Sequence, residues 1–195
     1  MVIKSVLKYI VDEINEFYST IPNGIQEDFA VLGNVARLEG ATSANNAELQ
    51  KKVILTLVNV SEETTLRNNP HYLVRGEGIQ KRNPTLYMNL YVLISCADDD
   101  YENGLHKISN VIAFFQRKHV FVADNATVPF PVSEVGKLIM DLHSLSFEQL
   151  NHLWGILGGK YHPSALYCLR LLPVQSDEGR GGPAIREIKA TENAN

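Results

Sequence analysis

Cysteine is scarce in this chain: two among 195 residues, Cys96 and Cys168, each inside an apolar run that reads as a strand. Two such thiols make no disulfide framework and fit buried side chains of a reduced compartment. Long apolar runs are missing too, since none approaches the ~20 residues of a membrane span. At the N-terminus, Lys8, Asp12, Glu13 and Glu16 interrupt any apolar core, and no small-residue cleavage site follows, which excludes a secretory signal. Basic charge is not in excess either. With 18 Lys and Arg against 22 Asp and Glu, the net charge of −4 argues against neutralising a phosphate backbone. The expected setting is the cytosol, without membrane or nucleic acid as partner.

Catalytic constellations are equally thin. The six histidines, at 71, 106, 119, 143, 152 and 162, include no pair at i, i+2 or i, i+4, so metal-ligand spacing is absent. Neither cysteine has a neighbouring base to activate it. Gly158-Gly-Lys160 resembles the end of a phosphate loop, but Trp154 stands where its first glycine belongs and Tyr161 where Ser or Thr belongs. Asp98, Asp100 and Glu102 resemble a calcium loop, yet Asn103 replaces the required glycine and Ser109 the closing glutamate. An acidic helix start and a glycine helix stop explain these two stretches better. No enzyme activity, cofactor or metal is expected. A small ligand-binding domain or enzyme stays open as the alternative, and would need a deep pocket with convergent ionisable groups.

What the chain does have is regular patterning. Ile3, Val6, Leu7, Ile10, Val11, Ile14, Phe17 and Tyr18 predict a helix over residues 2–19 with one buried stripe. Residues 29–37 predict a short strand, and residues 52–60, apolar on both faces, a central one. Residues 61–83 mix Arg67, Arg75, Lys81 and Arg82 with Glu62, Glu63 and Glu77 and read as a long structureless arm. The longest strand follows at 84–96. A helix over 100–117 would bury Tyr101, Leu105, Ile108, Ile112 and Phe115. Strands are expected at 119–122, 136–145 and 165–172. Between the last two, Ser146 and Gln149 form a capping box. The helix it opens places Phe147, Leu150, Leu153, Trp154 and Leu157 on one face and stops at Gly158-Gly159. The fold class is therefore α+β: one domain over 1–175, a mainly antiparallel twisted sheet packed by about three helices, with a flexible tail at 176–195.

Eight segments, in order, carry a family resemblance. They include Val6-Leu-Lys-Tyr-Ile-Val-Asp-Glu13, Val31-Leu-Gly-Asn34, Val53-Ile-Leu-Thr-Leu-Val-Asn-Val60 with Thr65-Leu-Arg-Asn68, and Tyr87-Met-Asn-Leu-Tyr-Val-Leu-Ile-Ser95. Further on come Gly104-Leu105, Phe114-Phe-Gln116, and the most specific block, Leu150-Asn-x-Leu-Trp-Gly155 with Leu157-Gly-Gly-Lys-Tyr161, Pro163-Ser164, Tyr167 and Arg170. On these residues the chain resembles the cap, or tail-terminator, family of extracellular contractile injection systems, phage-tail-like particles released by bacteria. The resemblance implies a tail-terminator-like fold and a homo-hexameric ring on the distal end of inner tube and sheath. Such a ring stops polymerisation and sets particle length. The implied partners are the inner tube and sheath proteins, with assembly in the cytoplasm and release as part of the particle. No catalytic residue is implied. An accessory baseplate adaptor or a second cap protein of the same particle is the alternative within that machine. The candidate interface residues are Arg67, Arg75, Lys81, Arg82, Trp154, Tyr161 and Arg170. For each, a solvated loop, a core role or an intramolecular pair is the plainer reading.

Overall fold

A computed structural model describes residues 2–20, 29–39, 49–63, 72–75, 78–81, 85–131, 136–174 and 180–183. Helix α1 spans Val2–Ser19, as the 3.6-residue period predicts, and buries Val6, Leu7, Ile10, Val11 and Ile14. It is tied to the first strand by Asn15, whose side-chain amide donates to the Ala30 carbonyl at 3.0 Å. The Asn15 carbonyl oxygen accepts from the Ala30 amide at 2.7 Å. Strand β1, Ala30–Leu32, is shorter than expected. The chain leaves the sheet at Gly33-Asn34, where the Asn34 side chain accepts from the Ala36 amide at 3.0 Å and starts a 3-10 turn over Val35–Glu39.

Strands β2 (Val53–Glu62) and β5 (Leu86–Cys96) pair antiparallel over most of their lengths. Between them, β3 (Tyr72–Arg75) and β4 (Gly78–Lys81) form an antiparallel hairpin. The expected structureless arm is thus corrected: its second half is strand. Helix α2 covers Tyr101–Arg117, β6 Val120–Phe121, β7 Leu138–Leu142, α3 Phe147–Ile156 and β8 Ser164–Val174. Four residues of the expected tail, Arg180–Pro183, form β9 and pair with β4.

The main sheet runs β1-β2-β5-β8-β7-β6, antiparallel throughout except for β1 beside β2. Three α-helices pack on it, which makes the α+β architecture. Register shifts between Leu57 and Asn59 on β2 and between Met88 and Leu90 on β5 mark bulges that add twist and curl. The second bulge also switches side-chain parity on β8: Tyr167 and Leu169 enter the core, and then Leu172 does.

Both faces of the sheet are covered, which explains why its central strands are apolar on both sides. Leu90, Val92, Ile94 and Cys96 of β5 face α1 and α2, together with Phe115, Phe121 and Leu138. On the opposite face Leu93 packs with Val35, Trp154 and Leu166 under α3 and the 3-10 turn. Helix α3 begins at the expected capping box, with the Ser146 Oγ accepting from the Gln149 amide. It ends before Gly158 and Gly159, whose φ values of 115° and 91° are open to glycine. Its expected apolar face is corrected at one position: Phe147, at the first helical residue, points to solvent and is 92% exposed.

Two buried ion pairs lock the helices in place. Glu13, 1% exposed, accepts from Lys118 Nζ at 2.6 Å, from the Tyr9 hydroxyl at 2.7 Å, and from the Thr127 amide and hydroxyl at 2.8 and 2.6 Å. That carboxylate joins α1 to the 118–128 segment. Asp98 pairs with Lys107 at 2.6 Å, and the same ammonium donates to the Lys51 carbonyl. Lys51 holds a left-handed φ of 68°, a conformation non-glycine residues adopt only where surrounding contacts hold it.

Candidate functional site

Of the seven candidate interface residues, Trp154 and Tyr161 stand side by side and Arg170 lies on a strand. Arg67 and Arg82 lie outside the described residues. Arg75 and Lys81 lie in the hairpin, opposite Gly78 and Tyr72 respectively, and Lys81 also stands opposite Arg180 on β9. Arg170, on β8, donates from Nε to Asp141 Oδ2 on the neighbouring β7 at 3.0 Å, a half-exposed cross-strand pair. Trp154 is 5% exposed and sits in the second core. Its ring meets Tyr161 and His162 edge-on, both at 5.7 Å between centroids. Burial gives Trp154 a core role in this fold. Tyr161, 57% exposed, keeps an aromatic face at the surface beside it.

Sequence patterning also misplaced the buried face of a helix. The expected buried stripe of α2, Tyr101, Leu105, Ile108, Ile112 and Phe115, is corrected by a rotation of the helix. Its buried residues are Gly104, Lys107, Ile108, Val111, Phe114 and Phe115. Tyr101, Leu105 and Ile112 stand 60%, 42% and 38% exposed instead. The apolar arc of α2 is wider than the face the core can take, and that excess width was the signal present in the sequence. On the other flank of α2, Asn110 donates to the Tyr18 hydroxyl and the Phe114 ring meets Phe17 at 5.1 Å. The exposed apolar flank thus looks away from α1, toward β7. There Leu142 is 57% exposed, and Ile112, Gln116 and Leu142 share the rim of a depression of about 300 Å³.

At the opposite margin of the same sheet face lies a groove of about 950 Å³. Its walls are the first turns of α1 (Val2, Ile3, Lys4, Leu7), the end of β1 (Leu32, Gly33, Asn34), and Thr56, Leu57 and Met88. The groove opens where β1 stops covering β2 at Leu55. Thr56 closes its inner end: its hydroxyl donates to the Gly33 carbonyl at 2.9 Å and accepts from the Val35 amide at 3.1 Å. No sequence pattern marks this groove, because its walls come from four separate segments.

The ionisable groups are arranged for stability. Burial pushes the Cys96 thiol up to about 11, which removes its thiolate at neutral pH, and burial likewise raises Cys168. Both cysteines are free and buried. Among the described residues, no group of three or more His, Cys, Asp and Glu side chains could hold a metal ion. Among the same residues, no helix is long and apolar enough to cross a membrane. Among the described residues, Lys4 is the one charged wall residue of the large groove, so these walls offer shape and apolar surface rather than an acid–base pair.

The sequence matches the family described as the Pvc16 N-terminal domain over residues 5–187. The chain belongs to that family. Two solved structures share its fold. One is the sheath/tube terminator, in the extended state, of the PVC extracellular contractile injection system, at TM-score 0.57 and 15% identity, covering 100% of this chain and 64% of that one. The other is the tube-terminating cap of the anti-feeding prophage, at TM-score 0.55 and 14% identity, covering 95% and 60%. This Pvc16-type chain therefore spans somewhat under two thirds of the length of either neighbour. No curated protein matches.

Proposed function

We propose that the chain is a terminator, or cap, subunit of a phage-tail-like extracellular contractile injection system. It forms a six-fold ring on the distal end of the inner tube and sheath, ends their polymerisation and so sets particle length. The observation that carries this reading is likeness of fold, over 100% and 95% of the chain, to a sheath/tube terminator and a tube-terminating cap, beside the chain's own match to the Pvc16 N-terminal domain. A terminator works by docking, and the molecule is consistent with that: the Glu13–Lys118 and Asp98–Lys107 pairs tie up buried charges, and apolar side chains are exposed on α2, in the groove beside α1, and at Phe147 and Ile156 on α3. On this reading the segment 1–175 is the cap domain, the chain has no catalytic role, and it assembles in the cytoplasm before leaving with the particle. The basic hairpin, with Arg75 and Lys81 in strands and Arg67 and Arg82 beside them in sequence, reaches tube, sheath or a neighbouring subunit.

The test is negative-stain electron microscopy of native particles with this gene deleted and then restored. Overlong, open-ended or missing sheathed particles in the deletion, cured by restoration, are expected. Particles of normal length with closed ends would remove the terminator role.

A further inference from the structure

We infer that the exposed flank of α2 and the groove beside α1 are the two halves of one heterologous contact. The Tyr101–Leu105–Ile112 ridge of one copy seats in the groove of the next copy of this chain. The premise of a ring rests on the terminator reading; the pairing of surfaces comes from the geometry.

At 100° per residue, Tyr101, Leu105 and Ile112 fall within about 40° of one another on α2, roughly a quarter-turn from the centre of its buried face. They make a narrow apolar ridge along α2, with Leu142 on β7 exposed across the depression from Ile112. The groove is concave, apolar and about 950 Å³, room for several such side chains. The two surfaces lie toward opposite margins of the six-stranded sheet, one beside β1 and β2, the other beside β7. Head-to-tail contact satisfies both, and it closes into a ring if the rotation per subunit allows. Charge agrees with this pairing. The groove carries exposed Lys4 in its wall, whereas the ridge starts beside exposed Glu102; just before it Asp99 faces Lys51 at 3.9 Å and Asp100 caps the helix. A small ligand fits the groove less well, since among the described residues Lys4 is its one ionisable wall group.

The experiment uses the full chain with Leu105→Glu on the ridge, Leu32→Glu in the groove, and Leu32→Cys combined with Leu105→Cys. Leu32 and Leu105 are both more than a third exposed, so thermal unfolding of each variant should match the parent. Sedimentation velocity at high micromolar concentration should show parent oligomers and at least about tenfold weaker association for each glutamate variant. An equimolar mixture of the two glutamate variants should restore one contact and give 1:1 dimers, because each keeps the surface the other has lost. Mild oxidation of the double-cysteine protein should give a disulfide-linked ladder, with buried Cys96 and Cys168 taking no part.

A parent that stays monomeric, with no ladder, would overturn the inference. So would an oligomer that neither glutamate weakens, or a mixture that gives no dimer. The inference and the terminator reading fail separately. Normal particles in the gene deletion, with ladder and mixed dimer intact, would remove the terminator and leave the contact. Defective particles without ladder or dimer would do the reverse.

Discussion

Glu13 shows what a single residue does here. A carboxylate at 1% exposure is tolerated because Lys118, Tyr9 and Thr127 all donate to it. Replacing it by alanine leaves Lys118, whose side chain is 19% exposed, and the Tyr9 and Thr127 donors without their acceptor. Glu13→Ala should cost about 3–5 kcal/mol in urea unfolding, while Glu13→Gln, which keeps the shape and most hydrogen bonds, should cost clearly less. Trp154 and Phe147 make a second contrast at this scale. Both are aromatic and seven residues apart on one helix, yet one is 5% and the other 92% exposed. Trp154→Ala should lower stability by about 3–5 kcal/mol and Phe147→Ala by less than about 0.5 kcal/mol, read from denaturant midpoints.

Among the elements, the β3–β4 hairpin is the most separable. It leaves β2 after Glu62 and returns at β5, where the Glu63 amide donates to the Tyr87 carbonyl at 2.7 Å, so the two long strands are already side by side at its base. Replacing residues 65–84 by a short Gly-Asn-rich turn should therefore leave the unfolding midpoint of the main sheet within a few degrees. The same variant should fail to restore normal particles in the deletion strain. Normal particles would show that the hairpin is dispensable for assembly. Helix α2 was legible as a helix, down to its acidic start at Asp100, whose side chain accepts from the Glu102 amide. Its orientation was not legible: an apolar arc that wide fits several rotations, and the choice among them was made by Phe114 and Phe115 packing on Phe17, Phe121 and Tyr167.

For the molecule as a whole, the two buried carboxylates set an acid limit. Burial alone would raise both, but hydrogen bonds from Lys118, Thr127 and Tyr9 to Glu13, and from Lys107 and the Asp100 amide to Asp98, outweigh it and hold both below their ordinary values. A carboxyl depressed in the folded state binds its proton first in the unfolded chain. The stability it contributes is present above the ordinary carboxyl range and is lost as pH falls through the folded value. Unfolding free energy should thus be flat from neutrality to about pH 5 and fall steeply below about pH 4. In Glu13→Gln that fall should be shallower, by chemical denaturation at stepped pH. An equal slope in the variant would mean that Glu13 does not carry the acid limit.

Local patterning alone determined the helix over 2–19, the capping box at Ser146, the glycine stop at 158–159, and strands β5 and β8 with their buried cysteines. Each is a consequence of a short-range period or of backbone chemistry within a few residues. It also determined that the chain carries no recognisable catalytic spacing. Only the tertiary structure decided that Trp154 lies under a second core, that the arm folds into a hairpin paired with Arg180–Pro183, and that α2 turns one apolar flank outward. Only folding, too, assembled the groove from α1, β1, β2 and β5. The physical reason is the same in each case. Periodicity says which residues prefer to be buried, but the area available to bury them is set by neighbours far away in the chain, and what exceeds that area is left at the surface.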